Sequence, residues 1–328
     1  MRICIFGAGA IGSHFAVKLA GAGHDVSVIA RGPQLEAIRT RGLTLKVGDQ
    51  SWSVDLPAHS DAAEPGPQDL VIVTAKATGL AAIVDPLKPL IGPETGVVFP
   101  QNGMPWWYPL GLTDKPEPPV LPFFRLADRF LSYLAPEQII GGSVYSANAI
   151  LEPGVVQNNS PNRNQMSIDG VTPDCRFDVT GLRALLEEAG ISSPTPEGGI
   201  RSVMWSKLLL NMSISGLALV TRNEASISRV DPDLKVVLRR ILAEGLSISK
   251  AHGYPLDDKI DPEATIAQIP DHKPSILQDY ELGRPMEIDE IIRAPQAFAR
   301  AAGVDTPSLD VLGAIATRQA RDRGLYTG

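Results

Sequence analysis

The feature that most limits what this chain can become is its opening. An apolar run, Arg2-Ile3-Cys4-Ile5-Phe6, leads into Gly7-Ala8-Gly9-Ala10-Ile11-Gly12. The pattern predicts a strand, a tight glycine turn and a helix from Ile11 to Ala22 that Gly23 ends. Asp25 to Ala30 reads as a second strand, which completes the β-turn-α-β order of a nucleotide-binding half. Each glycine has its own duty in such a turn. Gly7 permits the sharp bend, Gly9 lets backbone approach a pyrophosphate, and Gly12 lets helix pack on strand. The helix N-terminus adds amide groups and a partial positive charge for phosphates. Glycines at this spacing can serve a turn and nothing more, so the flanking strand and helix carry the expectation of a dinucleotide.

Which dinucleotide depends on the end of the second strand. A site for NAD places Asp or Glu there to hold the ribose 2′-hydroxyl. This chain has Ile29-Ala30-Arg31 and no carboxylate. A guanidinium grips a 2′-phosphate through two hydrogen bonds, so NADPH is expected, although a solvated loop arginine is the plainer alternative.

The 328 residues suggest about two domains, and a composition of 44% apolar and 20% charged residues suits ordinary globular cores. Leu70 to Thr74 and Val97 to Pro100 read as further strands, with a helix from Leu80 to Leu90 limited by Pro86 and Pro89. Residues 104–140 are rich in proline and aromatics, and read as an insertion with one helix near Leu126 to Leu134. Strands resume at Gly142 to Ala149 and Gly154 to Gln157, followed by a helix at Val179 to Ala189. From Gly199 the periods turn helical, at Ile200–Leu219, Asp233–Lys250, Glu287–Ala302 and Ser308–Arg321. The expected fold class is α/β: a Rossmann-type parallel-sheet domain over residues 1–198 and an all-helical domain over 199–328.

Charge and cysteines narrow the partners. A formal net charge of −7 argues against nucleic acid. No stretch approaches about 18 uninterrupted apolar residues, so no membrane partner is expected. The two cysteines, Cys4 and Cys175, exclude a disulfide framework and fit a reducing cytoplasm. Cys4 lies inside the first strand, where a buried thiol is the simple reading.

The helical half carries a sharper constellation at Trp205-Ser206-Lys207-Leu208-Leu209-Leu210-Asn211. Lys207 and Asn211 are four apart and share a helix face, which Ser215 extends by another four. Their neighbours are apolar, so an ammonium here is expensive unless it has a use or snorkels to solvent. A partly desolvated lysine can donate a proton near neutral pH. Ser275 and Asp279 are also one turn apart, yet Ser275 reads equally well as a helix cap, and Glu287 as a first-turn carboxylate.

In this order the segments resemble the ketopantoate reductase family (2-dehydropantoate 2-reductases). The resemblance runs through the glycine turn, Arg31, Ala75-Lys76-Ala77, Gln101-Asn102-Gly103-Met104, Trp205-Ser206-Lys207, Ser275-Ile276-Leu277-Gln278-Asp279 and Glu287-Ile288-Asp289. It implies an NADPH-dependent reduction of a 2-oxo acid, with the active site in a cleft between the domains. It also implies Lys207 as general acid, Glu287 on a substrate hydroxyl, and Asn211 and Ser275 on the substrate's carboxylate or hydroxyl. Asn102 would serve substrate and nicotinamide, and Lys76 the cofactor side. The nicotinamide supplies the reducing chemistry, so no metal is needed. The partners implied are the small 2-oxo acid and a second copy in a homodimer.

Three departures bear on the substrate. Ser215 stands where the family commonly has a further asparagine, Pro105-Trp106-Trp107-Tyr108 replaces a polar segment, and Gly141-Gly142-Ser143 differs from the usual hydroxyl-rich run. A shorter Ser215 and bulky aromatics near the cleft leave room for a bulkier 2-oxo acid or an opine-type substrate. A non-catalytic NADPH-binding sensor is the reading from another class, and it would need only the glycine turn.

Overall fold

The computed structural model describes every residue from Met1 to Gly328, and the chain separates into two units. The first comprises Met1–Gln101 and Leu126–Ile200; the second comprises Asn102–Arg125 and Arg201–Gly328.

In the first unit, strands β1 (Arg2–Phe6), β2 (Asp25–Ile29), β3 (Leu43–Val47), β4 (Gln50–Val54), β5 (Ala58–His59) and β6 (Leu70–Val73) precede β7 (Gly96–Phe99). Strands β8 (Ile139–Tyr145), β9 (Asn148–Glu152), β10 (Val155–Asn158) and β11 (Gln165–Gly170) follow. The main sheet runs β11-β8-β7-β6-β1-β2-β5. It is parallel throughout except for β11, which pairs antiparallel with β8 at one edge. β6, β7 and most of β1 and β2 are buried apolar runs, as strands covered on both faces must be. Helices α1 (Ala10–Gly21), α2 (Gly32–Arg41), α3 (Leu80–Leu87), α4 (Leu126–Phe130) and α5 (Val179–Glu188) complete the unit. Because β1 pairs with β2 on one side and β6 on the other, the strand order reverses at β1, the place where such sheets bind ligands.

A second sheet, β4-β3-β10-β9, lies against α1. The sequence pattern does not announce it. β4 (Gln50-Ser51-Trp52-Ser53-Val54) is almost wholly exposed, so it lacks the apolar signal that marks a core strand. β10 also reaches β3 across more than a hundred residues of chain, a pairing local pattern cannot foresee.

The second unit is helical: α6 (Gly199–Leu210), α7 (Gly216–Thr221), α8 (Ile227–Val230), α9 (Pro232–Ala251), α10 (Pro262–Ala267), α11 (Ser275–Leu282), α12 (Ala294–Ala301) and α13 (Pro307–Asp322). Its members include Asn102–Arg125, which sequence order had placed in the 1–198 domain. The correction has a packing cause. Met104, Tyr108 and Leu121 sit in the same apolar cluster as Trp205, Leu208, Leu242 and Phe298. Arg201 donates from Nε to the Tyr108 carbonyl at 3.0 Å, and Trp205 Nε1 donates to Tyr108 Oη at 3.1 Å.

Two helices expected to be continuous are interrupted by π turns. Asn211–Ser215 separates α6 from α7, and Asp289–Arg293 precedes α12. At the first, Ser213 Oγ donates to the Leu209 carbonyl at 2.6 Å and competes with the backbone ladder. At the second, the Glu290 carbonyl accepts from Met104 N at 2.8 Å, and Pro295 lacks the N–H its turn requires. The run Gly199–Thr221 has the length and mean hydropathy (1.5) of a membrane-crossing segment. Its Met204, Trp205, Leu208, Leu209 and Met212 nevertheless lie in the unit's core, where an apolar helix has partners already.

Candidate active site

In the first unit the glycine turn leaves β1 with Gly7 at φ +110°, a conformation L side chains rarely adopt. Gly7 N donates to the Ile29 carbonyl at 3.0 Å, and Thr74 Oγ1, just beyond β6, donates to the Gly7 carbonyl at 2.5 Å. Gly12 is pressed on this assembly. A Cβ there would overlap the Gly7 carbonyl oxygen and Thr74 Oγ1, and lie 3.0 Å from Ile5 Cγ2. Gly9 is the opposite case, with nothing within 4 Å of an added Cβ. It is the N-cap of α1, with no side-chain cap and no acidic residue in the first turn. One glycine closes the turn from below, and the other leaves it open from above. These are the features a dinucleotide pyrophosphate requires, and the fit therefore rests on backbone rather than on any one side chain. Ala8 is buried, while Ala10 and Ile11 are half-buried in the first turn of α1.

Arg31 follows β2 directly, in extended conformation as N-cap of α2. Its side chain is exposed and forms no ion pair or hydrogen bond with the protein. Lys76, exposed, caps the short 3₁₀ turn Ala77–Gly79 after β6. The carboxyl ends of β1, β2 and β6 thus deliver the glycine turn, Arg31 and Lys76 to one edge of the sheet.

In the second unit, Lys207, Asn211 and Ser215 are all half-buried, whereas Leu208, Leu209 and Met212 are buried. They form a polar stripe beside an apolar one. The π turn that starts at Asn211 widens the helix there, a distortion found often at functional sites. It is tightly backed: Gly245 of α9 faces Met212 and Leu209, with a Cβ at Gly245 meeting Leu209 Cγ at 3.1 Å.

The same π turn packs against α11 and against the second π turn. Asn211 and Ser215 therefore lie on a turn in contact with the helix that Ser275 begins and with the second π turn, which follows Glu287 and Ile288, while Lys207 lies one turn earlier on α6. Ser275 is exposed at the first position of α11; Pro274 occupies the N-cap position and no capping bond forms. The alternative reading of Ser275 as a cap fails, because an N-cap must precede the first helical residue. Glu287 is buried and lies just ahead of the helical run, separated from the second π turn by Ile288, and its carbonyl accepts from Ile291 N at 3.1 Å, so it is not the first helical residue that the sequence pattern suggested. Asn102 is half-buried and belongs to this unit; Gly103 beside it has φ +77° and abuts Glu290.

Glu290 is a residue the sequence reading missed. It is 8% exposed, and burial, then the charge of Glu287, push its carboxyl up to about 8. The available signal was an acidic residue followed directly by Ile291-Ile292, whose burial is invisible without the fold. Trp106, Trp107 and Tyr108 are buried in the second unit, and Tyr108 packs edge-on against Trp205 and Phe298. Tyr108 belongs to that unit's apolar core. No three His, Cys, Asp or Glu side chains come together as a metal-ligand group.

Comparison with known proteins agrees with both halves. The family model described as "Ketopantoate reductase PanE/ApbA" matches residues 3–112, and its "C terminal" counterpart matches residues 199–319. The chain is 34% identical to a 2-dehydropantoate 2-reductase of Mesorhizobium japonicum, over 100% of both chains. Its fold superposes on a Ralstonia solanacearum MolK2 protein with TM-score 0.86 at 30% identity, covering 99% of each chain. A D-mandelate dehydrogenase bound to NADH and anilino(oxo)acetate shares the fold, with TM-score 0.82 at 21% identity, covering 99% of this chain and 100% of that one.

Proposed function

The chain belongs to the ketopantoate reductase family, and on that premise we propose that it reduces 2-dehydropantoate (ketopantoate) to pantoate with NADPH. The observation that carries the reading is the packing of the Asn211–Ser215 turn, which continues from Lys207, against both the Ser275 helix and the turn after Glu287. A protein that only sensed a nucleotide would have no use for that assembly.

When bound, the nicotinamide supplies the hydride. The remaining work falls to the chain's own groups. Reduction of the keto carbon builds negative charge on its oxygen, which the Lys207 ammonium stabilises and then protonates. Glu287 accepts a hydrogen bond from a substrate hydroxyl, while Asn211 and Ser275 hold the carboxylate or hydroxyl and Ser215 lies one turn further on. Asn102 serves both substrate and nicotinamide, and Lys76 the cofactor side. The Gly7–Gly12 turn takes the pyrophosphate and Arg31 the 2′-phosphate. The preference for NADPH is supported by an exposed, unpaired guanidinium at a strand end that has no carboxylate.

The test is cofactor oxidation, with NADPH and NADH side by side, across ketopantoate, bulkier 2-oxo acids and opine-type substrates. NADPH with ketopantoate should give the highest kcat/KM. Absence of turnover with every 2-oxo acid overturns the proposal. The small Ser215 favours a second reading, a bulkier 2-oxo acid, and the same panel decides between them. We also propose a cytoplasmic homodimer. Val311 and Ile315, one turn apart on α13, are 63% and 45% exposed, an apolar pair that a second copy would cover; light scattering tests it.

A further inference from the structure

The chain leaves the first unit at Gln101 and enters the second at Asn102. Gln101 is 9% exposed, and its side chain is spent on backbone: Nε2 donates to the carbonyls of Val73 at 2.7 Å and Ala75 at 3.1 Å. These flank Thr74, whose hydroxyl holds the Gly7 carbonyl, and they directly precede Lys76. The orientation of the amide is fixed by chemistry, since a flipped group would set its oxygen against two carbonyl oxygens. Its Oε1 is then buried with no donor. A buried acceptor left unsatisfied costs free energy that an apolar side chain of the same length would avoid. Glutamine at this position is therefore explained by its donor and not by its packing.

On the other side of Asn102, a different fastening works within the second unit. Gly103 has φ +77°, and a Cβ there would lie 2.6 Å from Glu290 Cβ and 2.8 Å from the Glu290 carbonyl oxygen. Met104 N donates to that same carbonyl at 2.8 Å. Asn102 is thus held by its two chain neighbours, one tied to the exit of β6 and the other to the second π turn. Neither tie uses the Asn102 side chain.

We propose that Gln101 and Gly103 are positioning residues that set the backbone of Asn102 from both sides and leave its carboxamide free for the ligand. The proposal rests on the functional reading of Asn102 given above. Through the Val73 and Ala75 carbonyls Gln101 also holds Thr74-Ala75-Lys76, residues expected on the cofactor side.

The test is a double-mutant cycle on the full-length chain, using Gln101→Met, Asn102→Ala and the pair. Three readouts are taken: kcat, the NADPH dissociation constant from fluorescence titration, and the thermal midpoint. Gln101→Met should lower kcat about tenfold and weaken NADPH severalfold, with little change in midpoint. Added to Asn102→Ala it should lower kcat no further, because it acts through that residue. Additive losses, or a falling midpoint with kcat and NADPH affinity intact, would overturn the proposal. If Gln101→Met does not fold, Gln101→Glu serves instead. Its neutral acid can donate to Val73 and its carboxylate cannot, so activity should recover as pH falls; a native-like pH profile counts against us. Should the native chain reduce no 2-oxo acid, the functional reading fails alone, and the NADPH affinity of Gln101→Met still tests the role of Gln101.

Discussion

The two units build their candidate surfaces from different materials. In the first, the proposed nucleotide surface is mostly backbone: a glycine at φ +110°, a second glycine open to solvent, and the uncapped start of α1. In the second the proposed surface is side chains, Lys207, Asn211, Ser215, Ser275 and Glu287, on or beside helices that two π turns interrupt. A backbone site is fixed by a few residues close together in sequence. A side-chain site is assembled at long range, and its identities can change without disturbing the fold. The glycine turn should therefore be sensitive to added volume, and the proposed side-chain surface of the second unit to loss of its functional groups.

The largest expected effect follows in the second unit. Lys207→Ala should lower kcat by about 10²–10⁴, the usual contribution of a positioned general acid. NADPH affinity should stay within about twofold of native, since the turn proposed to bind it lies elsewhere in the chain. Steady-state kinetics beside a fluorescence titration separates the two. Loss of nucleotide binding in this variant would break the division of labour.

Volume is the complementary probe of the first unit. Gly12→Ala forces a methyl into the Gly7 carbonyl and Thr74 hydroxyl, and should cost about 1–3 kcal/mol of stability, as overpacking does. Gly9→Ala meets no protein atom and should leave the melting temperature unchanged while weakening NADPH. Equal melting temperatures for the two variants would contradict this account of the turn.

That contrast also explains what was readable in advance. The strand-turn-helix opening, the buried strands β6 and β7 and the helical second half follow from local spacing, and each is present. The second sheet was missed because β4 is polar and exposed and β3 finds β10 only through the fold. The π turns were missed because their causes, a serine bonding back to Leu209 and an external donor on the Glu290 carbonyl, have no periodicity. Asn102–Arg125 was misassigned for a related reason. Its aromatic residues signal burial, and sequence cannot say in which core. Arg31 was legible because it stands at a single strand end, directly after β2. Arg31→Ala should narrow the ratio of kcat/KM for NADPH over NADH by about 10–100-fold, the worth of a charge-assisted hydrogen-bonded contact. An unchanged ratio would move the 2′-phosphate site away from β2.

The last effect separates the units by pH. His14, fully buried in α1, has its pKa lowered to about 4 by burial and then by the charge of Lys18. Unfolded, it titrates near 6.5. Between these values only the unfolded chain binds the proton, so stability falls as pH drops from about 6.5 toward 4. Glu290 in the second unit has the opposite sign. Its pKa rises from 4.5 to about 8, so between them only the folded chain keeps the proton, and stability falls as pH rises through that range. Each slope is at most about 1.4 kcal/mol per pH unit. The two windows overlap between about pH 4.5 and 6.5, where the opposite slopes offset each other, so calorimetry should find the native protein nearly flat there and losing stability from about pH 6.5 to 8. Glu290→Gln should remove that loss and uncover the acid limb of His14, while His14→Gln should extend the Glu290 loss down to about pH 4.5. If neither variant changed the profile, the pH response would arise from exposed charges common to both units, and this difference between them would disappear.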